Sequence, residues 1–173
     1  MVREALLTVQ WMHNKGIYHY DMHSGNWLVK RDMRRNVHMY LNDFGSALQP
    51  SDEETFVRRF KGSEPSRKRW TEISRTKDLY YMFRYIVIPV LLVYFHGLYR
   101  RTRKLYDMTT AEYKLYDAVN QWVSQYYIEE DPDVKEDDDL LDARRMNAFQ
   151  NVTMDELVKS YRKLEEKLMD IIV

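Results

Sequence analysis

The sequence predicts a mainly α fold with one short β-hairpin in its first third. Three observations point there: apolar residues recur at helical spacing in three stretches, a fourth stretch is apolar on most sides, and strand-like runs are confined to two short segments around a polar turn. Val2, Ala5, Leu6, Val9 and Met12 form the first stripe, and Gly16 supplies a residue able to take the left-handed backbone at a helix end. Residues 27–30 and 37–41 are the extended runs, joined by the polar residues 31–36. Residues 42–74 are expected to be mainly loop. Residues 78–95 predict a helix buried all round, the axis of the core. Leu115, Ala118, Val119, Trp122, Val123 and Tyr126 share a face of a further helix, which gives way to the acidic run 129–139, read as a solvated loop. Met154, Leu157, Val158, Tyr161, Leu164 and Leu168 form the last stripe, entered through Thr153 and Glu156 at capping-box spacing.

A chain of 173 residues buries a core without staples, and no repeat or linker divides it, so one domain over 1–173 is expected. The 27 basic residues cancel the 27 acidic ones, which removes any overall attraction to nucleic acid or to an anionic membrane. A protein is therefore the expected partner. The absence of cysteine excludes disulfides, thiolate zinc sites and a thiol nucleophile, and fits a reducing, cytoplasmic location. The opening residues lack the basic-then-apolar pattern of a signal peptide, and the most apolar run, 85–95, is too short for a bilayer and contains Pro89. His13 and His38 lack the third and fourth ligands of a zinc site and are expected to be ordinary packing or surface residues.

The chemistry is concentrated in Ile17-Tyr18-His19-Tyr20-Asp21-Met22-His23-Ser24-Gly25-Asn26, followed beyond the hairpin by Asn42-Asp43-Phe44-Gly45. Phosphoryl transfer needs a carboxylate that orients a hydroxyl and accepts its proton, and oxygen ligands that hold magnesium against phosphates. Asp21, Asn26 and Asp43 supply those groups. The order and spacing of these residues resemble the catalytic loop (19–26) and magnesium loop (43–45) of protein kinases. The resemblance implies a kinase C-terminal lobe: Asp21 as base, His23 and Asn26 as catalytic-loop partners, Asn26 and Asp43 as ligands of Mg2+ and ATP, His19 and Gly45 as supports. It extends to Arg75-Thr76-Lys77-Asp78, similar to the start of the family's central helix, whose Asp braces the catalytic loop. Residues 46–74 take the place of an activation-type segment, with 75–173 the helical remainder.

Departures from the family pattern carry information. Tyr20 stands where the family has Arg, which argues against control by activation-loop phosphorylation. His23 replaces a Lys, and a neutral imidazole is a poorer partner for a transferring phosphate. The spelling His-x-Asp-x-His-x-Gly-Asn is also similar to small-molecule phosphotransferases related to choline and aminoglycoside kinases. No Ala-Pro-Glu closes the activation-type segment, for which Glu64 and Glu72 are imperfect substitutes. The basic residues Arg58, Arg59, Lys61, Arg67, Lys68 and Arg69 fit an acidic or phosphorylated substrate, or a solvated loop. The five glycines form no Gly-x-Gly-x-x-Gly, and the residues before His19 are spent on the first helix, so the nucleotide-gripping N-lobe is expected to be missing. Three readings follow. The chain is a truncated kinase whose N-lobe acts in trans, transferring the ATP γ-phosphate to a protein Ser or Thr; a pseudokinase-like mimic that binds a partner kinase or its substrate; or a small-molecule phosphotransferase fragment.

Overall fold

The computed structural model describes residues 1–49, 67–91, 109–126 and 144–172. They form a mainly helical fold with one two-stranded antiparallel sheet. Helix α1 (Val2–Asn14) forms because its five apolar residues fall on one face, and all five are buried. It ends on a Schellman turn: the Gly16 N–H donates to the His13 carbonyl at 2.9 Å and the Ile17 N–H to the Met12 carbonyl at 3.0 Å, with Gly16 at φ +68°. That turn directs Ile17 onto the core and carries the chain into the 18–26 loop.

Strands β1 (Trp27–Arg31) and β2 (Val37–Leu41) pair from Trp27↔Leu41 to Arg31↔Val37, one residue longer on β1 than the sequence predicts. An isolated antiparallel bridge, Tyr18↔Leu48, closes the segments before and after the hairpin onto each other. The ends of 18–26 and 42–48 are thereby held side by side.

Helix α2 (Arg67–Met82) continues through a π turn at Phe83–Val87 and on to residue 91. It begins earlier than Asp78, so the loop expected over 42–74 is corrected at its end; residues 50–66 lie outside the described part. The polar first half of α2 hid the helix, because it buries Ser74 and Thr76 where a periodic reading looks for apolar side chains. Pro89 has no N–H for the Tyr85 carbonyl four residues back, and the wider π turn falls at that place. Residues 92–95 of the expected core helix, the acidic run 129–139, Glu64 and the basic residues 58–61 also fall outside the described part.

Helix α3 (Thr110–Ser124) buries Leu115, Ala118, Val119 and Trp122. Helix α4 (Met154–Ile172) buries Met154, Leu157, Val158 and Leu164 and starts on the expected capping box: Glu156 accepts from the Thr153 N–H at 2.9 Å, and Thr153 Oγ1 accepts from the Glu156 N–H at 3.2 Å. α4 packs on both α1 and α3, and α1 also packs on β2 and the π turn. Phe83 sits at the centre of an aromatic cluster, with ring centroids 5.4 Å from Trp122, 5.7 Å from Tyr126 and 5.3 Å from Phe149. Ser160 Oγ accepts from both Trp122 Nε1–H (3.0 Å) and Tyr126 O–H (2.8 Å), which satisfies the polar ends of two rings inside that cluster. No helix among the described residues is long and apolar enough to cross a membrane.

Candidate functional site

Asp78 on α2 is wholly buried, and its carboxylate accepts three hydrogen bonds. Oδ2 takes the His19 N–H at 2.8 Å and His13 Nε2–H at 3.1 Å, and Oδ1 takes the Tyr20 N–H at 2.7 Å. A buried polar group is costly unless it is hydrogen-bonded, and these three donors satisfy the Asp78 oxygens. These bonds fix a strained piece of backbone: Tyr20 has φ +69°, a conformation unfavourable for a bulky residue. The Tyr20 ring lies under Lys77, whose Nζ is 4.0 Å from the ring centroid. Asp78 thus holds the 19–26 loop from the core side.

His19 ties that loop to the next one. Its Nε2–H donates to the Asn42 carbonyl at 2.8 Å, and its ring meets Phe44 edge to face with centroids 4.9 Å apart. A carbonyl only accepts, so the proton of a neutral His19 ring is on Nε2. Asn42 N–H in turn donates to the Asn26 carbonyl at 2.8 Å, closing the base of the hairpin.

Asp21, His23 and Asn26 come together within the loop. Asn26 is buried, and its Nδ2 donates to the Asp21 carbonyl at 2.8 Å and approaches Asp21 Oδ2 at 3.4 Å. His23 Nδ1 accepts the Gly25 N–H at 3.0 Å, so Nε2 bears the proton of the neutral ring, and Nε2 faces Asp21 Oδ2 at 3.7 Å. Gly25 leaves room for this fold-back: a Cβ there would lie 2.9 Å from His23 Cε1, so the exposed imidazole would have to shift. With Asn26 and His23 both on the Oδ2 side, the Asp21 carboxylate is oriented but still open to solvent; its side chain is 44% exposed.

Asp43 is exposed and, at φ +56°, is another left-handed non-glycine residue. It caps the short turn Phe44–Ser46, accepting the Gly45 N–H on Oδ1 at 3.3 Å. Whether these residues fit a magnesium ion is decided by their free oxygens. Asn26 uses its amide nitrogen on Asp21, which leaves its Oδ1 without a donor among the described residues, and Asp43 Oδ2 is likewise free. One amide oxygen and one carboxylate suit a hard cation that completes its shell with water and phosphate oxygens. They do not make an all-protein cage, and the described residues contain no group of three or more His, Asp or Glu side chains able to hold a metal.

The structure therefore brings together Asp21, His23 and Asn26, ties their loop to the 42–45 turn through His19 and the Asn26 carbonyl, and sets Asp78 against the backbone of His19 and Tyr20. The sequence reading missed His13, expected to be an ordinary packing or surface residue. Its side chain is 7% exposed and its Nε2 is the third donor to Asp78. Its position one residue after the buried Met12 was the only local signal. His38 also has a definite partner: Nδ1 lies 3.1 Å from Glu4 Oε1. No protein-family model, curated protein or solved structure matches the chain, so the fold and this geometry stand without a relative beside them.

Proposed function

We propose that the chain is a phosphotransferase lobe of the protein-kinase type, moving the ATP γ-phosphate to a Ser or Thr hydroxyl of a protein. The observation that carries the reading is the Asp78 carboxylate holding consecutive N–H groups of His19 and Tyr20 while His19 reaches the Asn42 carbonyl. One buried residue thereby braces both loops on which the candidate chemistry stands. In this reading Asp21 orients the acceptor hydroxyl and takes its proton as the oxygen attacks phosphorus and the bond to the leaving ADP breaks. Asn26 Oδ1 and Asp43 would hold magnesium, which neutralises phosphate charge when bound. His23 keeps the Asp21 carboxylate turned; a neutral imidazole engaged by Gly25 is a weaker phosphate partner than a lysine.

A second reading, a non-catalytic mimic that binds a partner kinase or its substrate, is favoured by one feature: Leu28 and its cross-strand partner Tyr40 are 52% and 51% exposed. Apolar residues paired on a sheet face suit a protein partner. Calorimetry separates the two. Magnesium-dependent ATP binding is expected for the chain and is expected to fall at least about tenfold in Asp43→Ala, which removes a charged ligand worth about 1.5–3 kcal/mol. Binding that is magnesium-independent, or equal in the variant, removes Asp43 from the site and leaves the mimic reading.

A further inference from the structure

The chain's charges cancel overall but are not spread evenly. Lys30, Arg31, Arg34 and Arg35 crowd the hairpin turn, all four side chains are exposed, and among the described residues none is in an ion pair with them. The acid in the turn, Asp32, is already engaged. Its Oδ1 accepts the N–H groups of Arg34 and Asn36 at 2.8 Å each, and its Oδ2 accepts Asn36 Nδ2–H at 2.8 Å and lies 3.4 Å from His38 Nε2. These donors, the Asn36 side chain first, hold the Asp32 carboxyl below its usual range, so it stays ionised and committed to the turn.

The turn is also built to keep its shape. Asp32 N–H donates to the Asn36 carbonyl and Arg35 N–H to the Asp32 carbonyl, both at 3.0 Å, with Arg35 at φ +65°. At its apex Met33 is fully exposed, and Lys30, Arg31 and Arg34 border a shallow cleft of about 470 Å³ beside it. A thioether held out in water between arginines is of no use to a purely electrostatic partner. It is the arrangement a bilayer interface accommodates, with an apolar tip among the acyl chain ends and cations at headgroup level.

We propose that the β1–β2 turn is a docking surface for an anionic phospholipid bilayer, with Met33 entering the interface and Lys30, Arg31, Arg34 and Arg35 against the headgroups. Screening limits each charge's reach to about 8–10 Å, so the distant acidic residues that balance the chain's total do not cancel this patch. Each basic residue at such a surface contributes about fivefold to binding, and one small apolar tip adds modestly, so the attachment is weak and reversible. The proposal does not rest on phosphoryl transfer, since none of its residues belongs to the candidate site.

Co-sedimentation of the full chain with vesicles of phosphatidylcholine alone, or of equimolar phosphatidylcholine and phosphatidylserine, tests it. Pelleting is expected with the mixed vesicles only and should fall as salt is raised. The double variant Arg34→Glu/Arg35→Glu should lose at least about 25-fold. Met33→Asp should lose severalfold, with circular dichroism showing each variant folded. Equal pelleting with neutral vesicles, or mixed-vesicle binding indifferent to the arginine pair, overturns the proposal. So does indifference to Met33→Asp together with binding to polyglutamate or duplex DNA, which assigns the patch to an acidic polymer.

Discussion

At the scale of single residues, Asp78 and Tyr161 show how burial converts a polar group into a stability term. Replacing Asp78 by Ala leaves two backbone N–H groups and the His13 ring without their acceptor in a wholly buried place. Each orphaned donor costs about 1–3 kcal/mol, so the variant should lose roughly 3 kcal/mol or more, read as a lower urea midpoint at unchanged slope. Asp78→Asn should fall between, because its amide offers one acceptor oxygen in place of two. An unaltered midpoint for Asp78→Ala would remove the brace from the proposal. Tyr161 gives a pH signature. Burial first, and the nearby Glu165 second, push its hydroxyl up to about 12, with Arg3 pulling weakly the other way. An unfolded tyrosine titrates near pH 10, so the unfolded chain releases this proton first. The contribution is whole below about pH 10 and is lost as pH rises toward 12. Tyr161→Phe should flatten that alkaline loss in denaturation midpoints taken across the window, and an unchanged slope would assign it to other tyrosines. Of the candidate site residues, Asp21, Asn26 and Asp43 stood out in the sequence because their types and spacing suit one chemistry, and Asp78 only through the resemblance of residues 75–78 to a family helix. His13 did not, since its partner lies 65 positions away and nothing local encodes that distance.

At the scale of elements, what was legible was periodicity, and what was lost was anything that replaced it. α1 buries the whole stripe its sequence spells out, and α3 and α4 bury most of theirs, with Val123, Tyr126, Tyr161 and Leu168 partly buried against the core. The first half of α2 carries Thr71, Glu72, Ser74 and Thr76, with no apolar period, and its helical state is imposed by packing. Thr109 and Glu112 form a capping box with the same spacing as Thr153 and Glu156, so the start of α3 was readable from the same rule and went unread. The end of α1 rests on one conformation. A Cβ at Gly16 meets nothing within 4 Å, so Gly16→Ala isolates the backbone cost of the left-handed cap, about 1–2 kcal/mol. Gly16→Asn should cost less, because Asn tolerates that region. Thermal unfolding of the pair checks the order; Ala equal to glycine would mean that the cap can relax into another turn.

At the scale of the whole molecule, the sequence could order the elements but could not say which surfaces they leave uncovered. Glu4 on α1 reaches across to the His38 ring and the Met39 N–H, pinning the hairpin to the helix and setting which of its faces is open. Leu28 and Tyr40 are left half exposed, as is Phe44 beside Asp43. The proposed phosphotransfer calls for a second lobe that grips the nucleotide and covers part of that apolar surface, because positioning is the largest contribution a protein makes to this reaction. The chain alone is then expected to phosphorylate a generic protein substrate barely above background. Adding or fusing a kinase N-lobe should raise the rate by at least about tenfold, a small part of what positioning can supply. Asp21→Asn should abolish the gain while leaving the lobes associated on gel filtration, since it keeps the side chain's shape and removes the carboxylate that accepts the proton. Leu28→Glu should instead lose the association and the gain together, because it places a charge on the face to be covered. An associated pair that stays inert, alongside inhibition of an intact kinase by the bare chain, would refute the catalytic reading and leave the mimic. A gain that survives Asp21→Asn would place the proton acceptor elsewhere and dismantle the site around Asp21.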